Sequence, residues 1–445
     1  MNHPAFAQHS IHGRGALKDA KITAVQGARQ CAPMEPLNKG LGWFDEPIES
    51  VSIAERGWSL LAEDISLPAA VLYRKQLLHN AEWMQRFIRS YGMKLAPHGK
   101  TTMAPELFHL QIETGAWGIT LATAQQTRVA HAHGVRRVLM ANQLVGKANM
   151  EIVSHLLADP DFTYFCLVDS PRQVQQMAEF FSGHGQQVSV LLEMGVPDGR
   201  SGVRDQAQLA SVLDAVERSR GAILLCGIEI YEGVLKEESA VRAFLDRAVS
   251  TTRTLLAEGR FNRQPPLLSG AGSAWYDVVA EIFSAAEFGD AVELVLRPGC
   301  YLTHDVGAYS SAQAEILRRN PVAKSMHGGL IPALHVWAYV QSTPEPERAI
   351  VGLGKRDAAF DAGFPVPALH FRPGENAPRP APASWRLTTM MDQHAYLQIA
   401  STDDVQIGDM MAFDISHPCL TFDKWRCLPV LNEQYRVVDY VHTFF

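Results

Sequence analysis

Several places in the chain carry residue types and spacings that can do chemistry, and a lysine is the first of them. Lys100 stands in Pro97-His98-Gly99-Lys100-Thr101, between a short apolar run and an amphipathic one, which sets it at a strand-to-helix turn. An amine stripped of water there loses its proton near neutrality and becomes a nucleophile toward an aldehyde. The plain alternative is a solvated lysine in a turn. Two glycine-rich stretches, Ser269-Gly270-Ala271-Gly272-Ser273 and Arg297-Pro298-Gly299-Cys300-Tyr301, let a backbone approach a phosphate closely. Neither is a G-x-G-x-x-G fingerprint, and each alone is as readily a tight turn. Arg200, in Gly199-Arg200-Ser201-Gly202-Val203, is a fixed cation able to donate to a ring nitrogen or an anionic oxygen, or else to close a rim salt bridge. Tyr231, in Ile230-Tyr231-Glu232-Gly233, can face a ligand ring or simply pack. His417-Pro418-Cys419 puts an imidazole and a thiol two residues apart, on the same side of an extended chain. That pair suits zinc with an open coordination position, although a histidine and a buried cysteine more often belong to a core.

Groups scattered over more than three hundred positions act together only if the fold gathers them. From Ala69 to about Leu296, β-rich runs alternate with amphipathic ones, the signature of βα units around a parallel sheet. The strand candidates are Ala69–Tyr73, Met93–Ala96, Trp117–Ala122, Arg137–Ala141, Phe162–Val168, Val188–Glu193, Leu224–Tyr231, Leu267–Ser269 and Glu293–Leu296. Between them Leu77, Ala81, Met84 and Ile88 share one helical face, as do Leu209, Val212, Leu213 and Val216. Gly115 and Gly134 stand where a left-handed residue would end a helix. The pattern suits a closed (β/α)8 barrel with one strand lent elsewhere; an open doubly wound sheet gives similar local signals. The barrel is preferred because Lys100, Asn142, Asp169, Arg200, Tyr231, Ser269 to Ser273 and Arg297 to Tyr301 all fall at or just after strand ends. In a barrel those ends converge on one face.

After Asn320 the runs Leu334–Gln341, Ala349–Leu353, Tyr396–Ala400, Met410–Ile415 and Arg436–Val441 lack helical spacers and read as an antiparallel β domain. Arg372–Ser384, with Pro373, Pro378, Pro380 and Pro382, reads as a surface loop that no central strand could include. The expected architecture is therefore α/β: an N-terminal arm over 1–60 able to lend a strand to the β domain, a barrel over 61–320, and a β domain with the metal site over 321–445.

Composition bounds the function. The chain has 445 residues, too many for one core, with 47% hydrophobic and 20% charged side chains, as in folded proteins generally. Forty basic against 47 acidic residues leave a net charge of -7, which gives no basic field for nucleic acid. Six dispersed cysteines without C-x-x-C pairs point to reduced thiols in a cytoplasm. No apolar run is long enough to span a membrane, and the first thirty residues lack an export signal.

Taken together, the Pro97–Thr101, Gly199–Val203, Arg297–Tyr301 and His417–Cys419 motifs resemble the D-serine dehydratase and D-threonine aldolase family, pyridoxal-phosphate enzymes of the alanine-racemase fold type. The resemblance covers about residues 60 to 445. It implies that Lys100 holds pyridoxal 5'-phosphate covalently and is the catalytic base. It further implies that Arg200 lies near the pyridine ring and that Tyr231 lines the cofactor site. The phosphate would rest on Ser269, Gly270, Gly272 and Ser273 with Gly299 and Tyr301. His417 and Cys419 would hold a divalent metal, zinc by ligand type, beside the substrate's β-hydroxyl, and His394 looks like a family histidine near it. The dehydratases of the family carry His-x-Cys where its aldolases tend to carry His-x-Asp, so Cys419 implies dehydration of a small D-3-hydroxyamino acid such as D-serine. The rivals are aldol cleavage of D-threonine or D-3-hydroxyaspartate, a racemase, and a non-catalytic cofactor carrier. The same resemblance implies a homodimer. The chain departs from the family pattern around Lys100, with Ala96 before the motif and Thr102-Met103 after it.

Overall fold

The computed structural model of the protein describes residues 33–445. Eight parallel strands form one sheet in the order Lys94–Leu95, Glu293–Leu296, Leu267–Gly270, Ile223–Ile230, Val188–Met194, Thr163–Val168, Arg137–Gln143 and Ile119–Leu121. The ends of that order meet. Thr120 N donates to Pro97 O at 2.8 Å and Trp117 N to Leu95 O at 2.7 Å, with a parallel bridge between His98 and Thr120. This closes the sheet into the expected (β/α)8 barrel and removes its free edges. Each sequence-derived barrel strand lies on an observed one, displaced by two residues or fewer at either end.

The helices between the strands begin and end for local reasons. Thr123 Oγ1 accepts from Gln126 N at 3.1 Å, Ser170 Oγ from Gln173 N at 3.3 Å and Asp205 Oδ1 from Gln208 N at 2.8 Å, each satisfying a donor that the first turn leaves unpaired. Helix Pro105–Thr114 stops at Gly115, whose φ of 116° a side chain would resist. Gly134, at φ 87°, follows helix Ala124–Ala132 in the same way.

The lent strand is Ala69–Tyr73. It joins the second sheet, antiparallel to Leu334–Glu345 and parallel to Cys427–Leu431, so the β domain contains one parallel pair. All five of its residues are buried, because helix Arg74–Ser90 and the barrel cover one face and residues 34–65 the other. Met34, Leu41, Phe44, Ile48, Ile53, Leu60 and Ile65 pack there against Trp337 and Tyr440. Lys39 Nζ fastens this segment, lying 2.9 Å from Asp357 Oδ1 and 3.8 Å from the Trp425 ring centroid. The part of the N-terminal arm before residue 33 lies outside the described residues.

The sequence reading overlooked Val366–Phe371, Arg386–Met390 and Cys427–Leu431 as strands. Two of them contain a proline, Pro367 and Pro429, which masks the strand signal. The loop read over Arg372–Ser384 also holds a short strand, Arg379–Pro380, at the outer edge of the sheet, where a proline lacking an N–H is tolerated. One buried amide ties the two lobes together. Asn80 Nδ2 donates to Leu302 O at 2.9 Å and Ile331 O at 2.7 Å, while its Oδ1 accepts from Ile331 N at 2.9 Å. No helix among the described residues is long and apolar enough to cross a membrane.

Candidate active site

At the C-terminal ends of the barrel strands, facing the second lobe, lies a cavity of about 360 Å³. Lys100, Arg200, Tyr231, Gly272, Ser273, Gly299, His417 and Cys419 line it, together with His98, Asn142, Arg297, Cys300 and Tyr309. A larger groove, about 960 Å³, runs outside the barrel between helices Pro171–Gly183 and Gln206–Arg218, but it gathers none of the candidate residues.

Lys100 sits in the middle of the one-turn helix Gly99–Thr101, exposed to the cavity and without a carboxylate partner among the described residues. Gly99 and Gly299 make that placement sterically feasible. A Cβ on Gly299 would lie 2.7 Å from His98 O, and one on Gly99 2.6 Å from the Phe108 ring. Gly299→Ala is therefore expected to destabilise the fold by roughly 1–3 kcal/mol, the usual cost of overpacking, seen as a lower Tm. A Tm equal to that of the parent would show that the His98–Lys100 turn yields freely.

The loop carrying Arg200 is pinned from behind. Ser201 Oγ donates to Glu193 Oε1 at 2.7 Å and Gly202 N to Asp169 Oδ2 at 2.9 Å. The Arg200 guanidinium lies 4.8 Å from the Tyr231 ring centroid, a cation–π pair facing the cavity. Arg297 enters the floor. Its guanidinium pairs with Glu229, donates through Nε to Ser269 Oγ at 3.0 Å, and reaches Ile230 O at 3.0 Å. Burial pushes the Glu229 carboxyl up to about 8, with Arg297 working against it. In the unfolded chain that carboxyl titrates near its ordinary value of about 4.3, so between there and about 8 the folded state holds the extra proton. Stability is thus lost as pH rises through that window. Glu229→Gln is expected to flatten this slope and gain relative to the parent between pH 5 and 8. Glu229→Leu removes one acceptor of the buried Arg297 guanidinium and should cost about 1–3 kcal/mol. Urea unfolding at both pH values checks the pair, and equal slopes for the parent and the Gln variant would refute it.

Three residues expected in the phosphate cradle do not line the cavity. Ser269 is fully buried with its hydroxyl taken by Arg297, and Gly270 is buried in its strand beneath Ile230. The Tyr301 hydroxyl is buried and accepts from Gln111 Nε2 at 3.1 Å. Gly272 borders the cavity, yet its N–H donates to Glu232 Oε1 at 2.7 Å, and the Ala271 N–H goes to Glu232 Oε2 at 3.1 Å. The surface left for an anion is Ser273 with Gly299 and Cys300, where Ser273 Oγ is 3.4 Å from Cys300 N.

His417 and Cys419 meet by a different route from the extended one expected. The strand ends at Asp414, and His417 is the N-cap of helix Pro418–Phe422, with Pro418 in the first position that favours proline. Cys419 Sγ lies 3.5 Å from Thr101 Oγ1 and 3.7 Å from Cys300 Sγ. The Cys300 thiol, then His417 and Thr101, draw the Cys419 thiol down to about 4, a thiolate at neutral pH. That thiolate, and next Asp361, push His417 up to about 9. Asp361 Oδ2 bonds His417 Nδ1 at 2.7 Å and leaves the other ring nitrogen for a further ligand. His394 is exposed at the tip of the hairpin between Arg386–Met390 and Ala395–Gln398, and it does not line the cavity.

Sequence reading gave no role to His98, Arg297, Cys300, Tyr309 or Asp361. The first three lie inside the motifs already singled out, so adjacency was the missing signal; Tyr309 and Asp361 stand in stretches without any local mark. The donor set fits pyridoxal 5'-phosphate. An exposed amine faces the aldehyde's needs, and a guanidinium and a phenol ring flank a flat aromatic. Bare glycine backbone beside a serine hydroxyl suits a phosphate. His98 adds to the cavity wall a buried Nδ1 without a hydrogen-bond partner among the described residues. Its imidazole is held well below the ordinary range by burial and by Lys100, Arg297 and Arg200. His417 and Cys419, with Asp361 behind, fit a soft divalent metal.

Comparison with known proteins places this architecture. The model "Alanine racemase, N-terminal domain" matches residues 73–303, just over half of the chain, and "Putative serine dehydratase domain" matches residues 333–431. The D-threonine aldolase of Arthrobacter sp is 25% identical over 376 residues, 83% of this chain and 90% of that protein. The crystal structure of D-threonine aldolase from Filomicrobium marinum superposes with a TM-score of 0.72 at 22% identity, covering 87% of this chain and 96% of that one. D-threo-3-hydroxyaspartate dehydratase from Delftia sp. HT23 gives 0.67 at 22% identity, over 87% and 99%. By matched length, the chain belongs to the alanine racemase N-terminal domain family, and its second lobe also matches the serine dehydratase domain model.

Proposed function

We propose that the protein is a pyridoxal-phosphate- and metal-dependent dehydratase that converts a small D-3-hydroxyamino acid, such as D-serine, into a keto acid and ammonia. The observation that carries this reading is the meeting of two kinds of chemistry in one cavity: the Lys100 amine from the barrel and the His417–Cys419 pair from the other lobe. Pyridoxal phosphate, when bound, supplies an electron sink for charge at the substrate's α-carbon. A divalent metal, zinc by ligand softness, supplies Lewis acidity at the β-hydroxyl.

The chain's own residues do the rest. Lys100 Nζ would hold the cofactor, and as a base it would move the substrate's α-proton. Arg200 and Tyr231 hold the ring, Ser273 and Gly299 the phosphate, and Arg297 keeps a fixed positive charge in the floor. His417 and Cys419 hold the metal, and Asp361 sets the imidazole's orientation. The relatives lend support, since they are named as lyases of D-threonine or of D-3-hydroxyaspartate. Two solved variants of the D-threo-3-hydroxyaspartate dehydratase replace a histidine and a cysteine two positions apart, and the cysteine variant is a metal-free form.

A second reading, aldol cleavage, is favoured by the aldolase that aligns over 90% of its own length. Incubation with D-serine, D-threonine and D-3-hydroxyaspartate separates the two. Keto acid with ammonia supports dehydration, whereas glycine with an aldehyde replaces it by aldol cleavage. We also assign the protein to the cytoplasm and to a homodimer. The described cysteines are all free thiols, and Phe360 and Phe364, beside His417's partner Asp361, are exposed.

A further inference from the structure

We infer, resting on the metal reading of His417 and Cys419, that Thr101 is a positioning residue whose hydroxyl donates to the metal-bound Cys419 sulfur and ties the metal centre to the turn carrying Lys100. Thr101 is 2% exposed, and its Oγ1 lies 3.5 Å from Cys419 Sγ and 3.8 Å from Cys300 Sγ. Among the described residues these two sulfurs are its only side-chain hydrogen-bond partners. Other buried or partly buried threonines of this molecule behave differently. Thr114, Thr127, Thr251 and Thr252 each turn the hydroxyl back to the carbonyl four residues earlier, at 2.7 to 3.0 Å, the common habit of a helical threonine. Thr101 directs its hydroxyl instead to a sulfur entering from the other lobe, on helix Pro418–Phe422, which packs against the Gly99–Thr101 turn.

Which atoms carry protons sets the direction of the bond. A sulfur bound to a metal has shed its proton and can only accept. Cys300, whose thiol Cys419 and burial push up, keeps its proton and is a weak S–H donor at 3.7 Å. The Thr101 O–H is therefore the stronger donor within reach of Cys419. A hydrogen bond to that sulfur draws electron density from it, so the sulfur gives less to the metal and leaves it a stronger Lewis acid toward a hydroxyl. The bond also fixes place. Lys100 precedes Thr101 in the same turn of helix, and a Cβ on Gly299 would come 3.0 Å from Thr101 Oγ1. One hydroxyl thus stands where the amine's turn, Gly299 and the metal-holding helix meet.

The test compares the full-length protein with Thr101→Val, which keeps the branched shape and loses the hydroxyl, and with Thr101→Ser, which keeps the hydroxyl and loses the methyl. Each is titrated with zinc for affinity and loaded with cobalt(II) to read cobalt–thiolate absorbance. The expected result for Thr101→Val is zinc affinity weaker by about 10–100-fold, the usual cost of losing an outer partner. Its cobalt–thiolate band should move to longer wavelength, because a sulfur without the hydrogen bond holds its electrons less tightly. Thr101→Ser should match the parent in both. Affinity and band position in Thr101→Val equal to the parent's overturn the role of Thr101 and leave His417 and Cys419 in place. Equal losses in the two variants overturn it as well, since packing and not the hydroxyl would then hold the centre. Failure of the parent to retain either metal overturns the metal reading together with this extension of it.

Discussion

Lys100→Ala is expected to lower keto-acid formation from D-serine by on the order of 10³-fold or more while leaving the protein as stable as its parent. The activity loss follows from two functions on one nitrogen: covalent attachment of the cofactor, and the general-base transfer that alone contributes about 10²–10⁴-fold. The unchanged stability follows from geometry. Lys100 is exposed at the cavity mouth, with no ion pair or hydrogen bond to another described residue, so truncating it removes no packing and strands no charge. Surface substitutions of that kind stay within about 0.5 kcal/mol. Initial-rate assays alongside thermal unfolding check both halves. A variant that remains yellow and keeps its rate would move the nucleophile to another residue and remove the central premise. A variant that loses rate and stability together would point to a structural role for the turn.

The barrel was legible in the sequence because its strands are buried on both faces. Mostly apolar runs such as Phe162–Val168 and Leu224–Tyr231, interrupted only by Thr163, Gly227 and Glu229, mark such strands, and the alternation with helices fixes parallel order. The second lobe was less legible where strands carry a break. Pro429 lies in the fully buried strand Cys427–Leu431, and its pairing with Tyr440 is set by tertiary contacts that no local pattern announces. The strand Ala69–Tyr73 was visible, but its partners lie more than 250 positions away, so only the fold shows which lobe receives it.

Site residues divide along the same line. Lys100, Arg200 and Tyr231, at strand ends, line the cavity because barrel topology makes position along a strand a statement about direction. Ser269 and Gly270 illustrate the limit. They sit at a strand end too, yet Arg297 and Ile230 occupy the space above them, a competition between side chains that motif reading does not resolve. His417 and Cys419 line the same cavity, but not by the extended geometry expected of them. They converge through a helix N-terminus, and the proline between them, read as part of a β run, is what starts that helix.

His417→Ala and Cys419→Ala should each reduce dehydration by on the order of 10³-fold, and EDTA should produce the same loss in the unmodified protein. A Lewis acid at a leaving hydroxyl supplies several kcal/mol of charge stabilisation, and hydroxide departs very poorly without it. Because the two ligands and the chelator act on one centre, their effects should not multiply: EDTA added to either variant changes little further. Zinc should restore the chelated parent and fail to restore the variants. Asp361→Ala is the graded case. It leaves both ligands in place but frees the imidazole to turn, so metal affinity should weaken by about 10–100-fold and excess zinc should recover the rate. Metal content measured beside turnover distinguishes this from a general loss of fold. Lys100 lies on the opposite lobe, so each variant should still bind pyridoxal phosphate and turn yellow. Full activity in EDTA with no retained metal would leave elimination to the cofactor alone, and would return His417 and Cys419 to a structural role at the contact with Thr101.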